Sequence, residues 1–368
     1  MKEVNQTKIM KRDPLPDIIR GFAILLVILG HCIQEGNGAA FSNQMQYFDD
    51  RLYQLIYSFH MPLFALVAGY FAYPSIKKAT DSSSRKRLLF HRVSVYIIPI
   101  FVWTLLEYIR ECIVNTYYGY KEITITGVFP EFAMKLITNH WFLWSMIICF
   151  VIVYVMHYFL HDNIFIFCLG LLSLFFIPDG LNMHAYKFLM PFYFLAFYFH
   201  KNIKENNDSM LCKLTQKITS LFSSKRLLSF IILLVVFIGL FMFYDKRAFI
   251  YVSGYRITKN IWYHMLIIDV YRFVIGLIGS LMIISFWSLI ASKIKNYSFP
   301  ILRAFGTYSL GVYLLSGYIT ILGMRRITDS LNYSIIRVIA ESVIVAIISL
   351  LITIVISKIP IIKKIVGK

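Results

Sequence analysis

The stretch "PDIIRGFAILLVILGHCIQ", residues 16–34, is apolar enough to cross a bilayer, yet it carries Arg20 near one end and His31 near the other. A hydrocarbon core about 30 Å thick takes roughly 20 helical residues. An ionisable side chain inside it is costly, so each one asks for a structural or functional reason. Eleven residues make about three turns at 3.6 residues per turn, so Arg20 and His31 share one helix face, roughly 16 Å apart. Snorkelling accounts for Arg20 taken alone, and a hydrogen-bonded packing role for His31 taken alone. Their common face favours a joint role.

Composition agrees with a membrane reading. Of 368 residues, 58% are hydrophobic and only 15% charged, against about 25% charged in soluble domains. Ten apolar segments are long enough, or nearly so, to span: near 17–34, 53–73, 92–114, 139–160, 164–178, 185–200, 228–244, 266–290, 305–323 and 334–357. The fold expected is an all-α polytopic membrane protein of about ten transmembrane helices. It forms a single domain over 17–357, with a lead at 1–16 and a basic tail at 358–368. Lys and Arg cluster in "KKATDSSSRKR" (77–87), "KNIKENNDSMLCKLTQK" (201–217) and "KIPIIKK" (358–364). The positive-inside rule then places the N- and C-termini in the cytoplasm. Loop 245–262 argues the other way, with Lys246, Arg247, Arg256 and Lys259 outside.

The net charge of +18 follows from this asymmetry and from anionic lipid, so membrane lipid is the implied partner and nucleic acid is not. The first span follows a polar lead without a small-residue cleavage site, so no cleaved signal peptide is expected. Five cysteines lack metal or CxxC spacing and read as buried apolar residues. No metal site is expected.

Depth along each helix groups the remaining ionisable residues. His31, His60, Glu107, Asp269, Arg272, Arg337 and Glu341 fall toward the outer side, and His140 and Trp141 open the fourth span at that level. An outward-facing polar cavity roofed by these groups avoids placing charge against lipid. At the cytosolic level lie Arg20, Arg85, Lys86, Arg87, Arg92 and Arg303. Positive-inside statistics explain much of that cluster, and a phosphate-rich ligand gripped by Arg forks would use the same geometry.

These stretches also carry a family resemblance. "DIIRGFAILLVILGH" resembles the opening helix of membrane acyltransferase family 3, with its Arg and His separated by ten residues. "SFHMPLFALVAGYF" is similar to the second-helix motif of the fucose 4-O-acetylase-like branch, bacterial surface-glycan O-acetyltransferases, with Ala68 where that pattern has Ser. "RKRLLFHRVSVYIIP" resembles the basic start of the third helix, although Val95 stands where a second Arg is common. "HWFLWSMI" and "FGTYSLGVYLLSGY" resemble later motifs, the last with Ser316 in place of His.

The resemblance implies acyl transfer, usually acetyl, from cytosolic acetyl-CoA to a hydroxyl of a cell-surface or capsular polysaccharide or its lipid-linked precursor. The implied location is the bacterial plasma membrane. A sugar hydroxyl is a poor nucleophile until a base takes its proton, and a His with pKa near 6.5 suits neutral pH. His31 is that base or is transiently acetylated, with Glu107 orienting it. Arg20, Arg92, Lys86 and Arg87 would hold the donor. His60, Trp141, His140 and Glu341 would bind the acceptor or polarise the thioester carbonyl. The competing reading is a transporter or flippase for a glycan or lipid-linked sugar. Many such proteins are built from paired repeats, which this sequence lacks.

Overall fold

A computed structural model describes residues 13–35, 46–119, 124–205, 209–255, 262–294, 298–320 and 334–368. Residues 1–12 of the expected lead, together with Arg256 and Lys259, lie outside the described residues. Among the described residues the secondary structure is helical throughout, with no strand.

The helices run α1 (Leu15–Glu35), α2 (Arg51–Lys77), α3 (Ser82–Tyr118), α4 (Ile125–Thr138), α5 (Trp141–Phe159), α6 (Ile164–Ser173) and α7 (Met183–Lys204). They continue as α8 (Met210–Ser224), α9 (Arg226–Phe241), α10 (Trp262–Lys293), α11 (Pro300–Thr307), α12 (Ser309–Ile319) and α13 (Ile335–Lys358). Among the described residues six helices (α1, α2, α3, α5, α10 and α13) are long and apolar enough to cross a membrane. Counting the bent pair α8–α9 as one span makes seven.

The departures from the sequence-based spans have local causes. The segment near 164–178 forms α6 and then a 3-10 turn, too short to cross alone. The segment near 305–323 is divided at Tyr308 between α11 and α12. The third span extends far beyond 92–114, because Asp81 caps its start by accepting from the Ser83 and Ser84 amides, both at 3.0 Å. Gly119, at φ 65°, ends it in the left-handed conformation that glycine adopts freely. Two helices, α4 and α8, occupy stretches that hydropathy alone reads as loops.

α1 and α2 are the centre of the bundle. In their apolar windows 61% and 67% of residues are buried inside the protein, against 22% for α3 and 28% for α13. The most extensive core joins α1 and α2 to α9, α10 and α13, through residues such as Ile28, Ile56, Phe237, Ile275 and Val345. A second joins α2 to α5 and α7, and a third joins α3, α5 and α12. Lipid tails are as apolar as these side chains, so the helices associate through close packing rather than through escape from water. The start of α1 shows how close that packing is. A Cβ on Gly306 would lie 1.7 Å from the Asp17 carbonyl oxygen, and one on Gly21 would lie 1.8 Å from that of Leu302. Only glycine at both positions lets α11 press against the end of α1 that carries Arg20.

Residues 358–368, read from sequence as a basic tail, pack onto the bundle. Val366 is buried, Trp103 Nε1 donates to the Ile365 carbonyl at 2.9 Å, and Lys368 Nζ donates to that of Thr307 at 2.6 Å.

Candidate active site

One face of α1 lines two cavities. Arg20, Ile24 and Val27 line a cavity of about 650 Å³, and His31 and Gln34 line another of about 630 Å³. The 20-24-27-31-34 spacing is the helical stripe expected from the sequence. α2 runs alongside in the same order: Tyr53 and Tyr57 face the histidine cavity, and Phe64, Phe71 and Ser75 face the arginine cavity.

The arginine cavity gathers Arg20 from α1 and Arg92 from α3, with Lys78 just past the end of α2. Arg20 pairs with Asp17 one turn earlier. Arg92 Nη2 donates to Ser75 Oγ at 2.6 Å, and its guanidinium lies 5.8 Å from the centre of the Phe150 ring. The other expected donor-side residues, Lys86 and Arg87, are exposed on the first turns of α3 and do not line the cavity. Arg303 is likewise exposed, and Arg85 stacks at 4.4 Å on the Tyr158 ring. Lys78 and Ser75 are two further polar residues of this cavity, beside Tyr96, Tyr193, Ser309 and Tyr313. Lys78 sits inside the quoted basic cluster, but Ser75 gave no signal.

The histidine cavity has aromatic walls. Tyr53 and Tyr57 stack with ring centres 3.9 Å apart, Trp141 and Tyr251 meet at 5.9 Å, and His31 lies among them. Gly30 makes room for this, because a Cβ there would fall 2.8 Å from Tyr57 Cε2. Among the described residues no group hydrogen-bonds the His31 ring. An imidazole at the wall of a cavity can donate or accept a proton, and the Tyr and Trp rings around it offer apolar faces with polar tips.

The other expected site residues are distributed differently. Trp141 lines the histidine cavity. His140 takes a left-handed backbone, φ 52°, which starts α5 and turns its own side chain away toward Glu107. Glu107 accepts from Asn139 Nδ2 at 2.8 Å and lies 3.9 Å from His140 Nε2. Its contacts are thus with residues 139 and 140, not with the His31 ring that it was expected to orient. His60 is buried behind Tyr57, its Nδ1 donating to the Ile56 carbonyl at 2.8 Å, and it lines neither cavity. Glu341 pairs with Arg337 at 3.2 Å and sits close to Cys32, outside the histidine cavity. Ser316, where His was anticipated by resemblance, is buried and donates to the Tyr313 carbonyl at 3.0 Å.

Asp269 and Arg272 do not face the cavity of His31 either; they hold its wall. The buried Arg272 donates to the carbonyls of Ala248 (2.8 Å) and Gly254 (3.0 Å), to Ser253 Oγ and to Asp269 Oδ1 (2.8 Å). A second anchor grips the far end of the same loop. Asp179 accepts from the Tyr255 amide at 2.8 Å and pairs at 2.6 Å with Lys187, which is fully buried. Tyr251 and Val252 reach the histidine cavity from the loop so held. A lysine inside the 185–200 span was the available signal for this anchor. Among the described residues no three His, Cys, Asp or Glu side chains converge as a metal site.

Residues 14–358 match the sequence profile of the acyltransferase domain family. The chain belongs to that family. Its acyltransferase domain therefore covers both cavities and every helix that lines them. Among curated proteins, it is similar to nodulation protein NolL of Sinorhizobium fredii, 27% identical over 201 residues. It is also similar to nodulation protein NolL of Mesorhizobium japonicum, 25% identical over 198 residues. These matches take in 54% and 53% of this chain and 52% and 50% of the relatives, so the chain spans about half the length of the curated relatives it matches. No solved structure matches the chain.

Proposed function

We propose that the protein is an integral membrane O-acetyltransferase of the bacterial plasma membrane. On this reading it moves an acetyl group from cytosolic acetyl-CoA to a hydroxyl of a cell-surface or capsular polysaccharide, or of its lipid-linked precursor. The observation that carries the proposal is the pairing of Arg20 and Arg92 in one cavity with His31 in a second, both cavities on a single face of α1. The reading places the N-terminal end of α1 on the cytosolic side, as the basic segments 77–87 and 201–217 favour, so the arginine cavity opens inward.

The chemistry then divides along α1. Arg20 and Arg92, with Lys78 at the rim, hold the phosphates of CoA by charge-assisted hydrogen bonds. The flexible arm of CoA carries the thioester toward His31, about 16 Å away along the helix. The acceptor hydroxyl lies against the aromatic wall, and its proton passes to His31 as the oxygen attacks the thioester carbonyl. The carbon–sulfur bond breaks, the ester forms, and the CoA thiolate leaves and takes up a proton. Transient acetylation of His31 reaches the same products in two steps.

Sealed vesicles of known orientation test this. Radiolabelled acetyl-CoA on the cytosolic side should acetylate glycan supplied on the outer side, and His31→Ala should abolish the signal. Acetylation confined to cytosolic glycan would overturn the placement of the acceptor. Glycan movement that needs neither acetyl-CoA nor His31 would overturn the enzyme assignment.

A further inference from the structure

α8, "MLCKLTQKITSLFSS", has three different sides. Cys212 and Thr215 are buried toward the protein, and Cys212 Sγ lies 3.7 Å from Asn202 Oδ1 of α7. Met210, Leu214, Ile218 and Leu221, spaced on one helical face, are exposed. Lys213, Lys217 and Ser220 occupy the third side and are exposed as well. Lys225 and Arg226 follow at the junction with α9, and residues 209–228 contain no Asp or Glu.

The axis of α8 turns 101° into that of the apolar α9. With α9 taken as crossing the bilayer, as the proposed membrane topology has it, a helix at a near-right angle to α9 lies in the plane of the bilayer. Its level is fixed by α7, from which it follows. His200 Nδ1 donates to the Tyr70 carbonyl at 2.6 Å, and Tyr73 OH donates to Glu205 Oε1 at 2.9 Å. α7 therefore ends beside the part of α2 that carries Ser75 and Lys78, the rim of the arginine cavity.

We propose that α8 is an interfacial helix that seats its apolar face in the leaflet on the Arg20 side and recruits anionic phospholipid headgroups through Lys217, Lys225 and Arg226. An amphipathic helix of this kind buries its apolar face at the headgroup boundary and adds electrostatic attraction to acidic lipid. A basic residue near an anionic surface is worth roughly a fivefold preference. The cation-rich, acid-free side of α8 argues for lipid over a second copy of the chain, whose matching face would carry the same charge.

Full-length protein in vesicles containing photoactivatable phosphatidylglycerol or phosphatidylcholine tests this, with labelled peptides mapped by mass spectrometry. Peptides covering 210–226 should label with phosphatidylglycerol in roughly fivefold or greater preference at low salt. That preference should fall as salt is added to the wild type, and the K217E/K225E/R226E variant should bring the two lipids to parity. Equal labelling by both lipids at low salt, no labelling of these peptides, or crosslinks between two copies through this face would each overturn the proposal.

Discussion

Arg20 and Arg92 enter one cavity from two different helices, α1 and α3, each steadied by a partner of its own: Asp17 for Arg20 and Ser75 for Arg92. Asp17 already compensates Arg20, whereas Arg92 is held by a neutral hydroxyl, so on the proposed function a donor phosphate reaching both guanidinium groups would complete their charge pairing by bidentate hydrogen bonds.

R20A and R92A should therefore each weaken donor binding by about tenfold or more, the worth of a hydrogen bond to a charged group. R20K should recover less than half of that loss in free energy, because a lysine cannot supply a planar fork. Binding of acetyl-CoA to purified protein, compared at low and moderate salt, measures both effects. Donor affinity unchanged in both alanine variants would remove these residues from the donor site.

His31 should behave as chemistry rather than packing. Its ring lines a cavity, and the neighbouring aromatic wall rests on Gly30 and Tyr57. H31A and H31Q should lower turnover by about 10²–10⁴-fold, the usual contribution of a positioned base. Expression and thermal stability in detergent should stay near wild type. A fall in stability with turnover per folded molecule preserved would return His31 to a packing role.

The sequence made Arg20 and His31 legible because an ionisable residue inside an apolar run stands out, and the 3.6-residue period places two of them on one face. Counting residues along each helix also groups Glu341 and Glu107 with His31. Rotation about each helix axis was not legible. Glu341 lies beside Cys32, the residue after His31 and about 100° around α1, and so misses the cavity. Tyr53 and Tyr57 gave no signal, since aromatic residues in an apolar helix look alike whether they face lipid, core or cavity. The Arg272 and Lys187 anchors were hidden for another reason. Beside their carboxylate partners Asp269 and Asp179, they bind loop carbonyls, those of Ala248 and Gly254 for Arg272 and of Ile177 and Tyr255 for Lys187, which no side-chain pattern reveals.

Asp162, in the turn between α5 and α6, ties α5 to α7 at the end of the bundle near Lys201. It accepts from His157 Nδ1 at 2.8 Å and from Lys201 Nζ. Burial pushes its carboxyl up, but His157 and Lys201 outweigh that and hold it below its ordinary value of 3.8. A carboxyl depressed in the folded state contributes stability above its unfolded pKa and loses it as pH falls through the folded one. Thermal stability of the solubilised protein should thus decline below about pH 4 in the wild type. D162N should be less stable at neutral pH and should show less of that decline. An identical acid profile in D162N would mean that other carboxylates set it.

The last prediction concerns the wall opposite His31. Arg272 spends its donors on two carbonyls and a hydroxyl of loop 248–254 while pairing with Asp269, and the loop so held brings Tyr251 into the histidine cavity. Arg272 lines neither the arginine nor the histidine cavity, so it acts as a positioning residue. Removing one partner of a buried ion pair costs about 3–5 kcal/mol, and R272Q should lower stability on that scale. R272K should rescue poorly, since one ammonium cannot satisfy acceptors spread around a planar fork. A destabilised fold alone would lower the yield of active protein and leave the kinetic constants of the surviving fraction unchanged. Loss of the wall should instead raise KM for the acceptor severalfold while KM for the donor stays constant. Y251A should reproduce the acceptor effect without the stability loss, because it removes the ring and leaves the anchors in place. Equal changes in both KM values for R272Q, or an unchanged acceptor KM in Y251A, would show that this loop only closes the fold and takes no part in holding the acceptor.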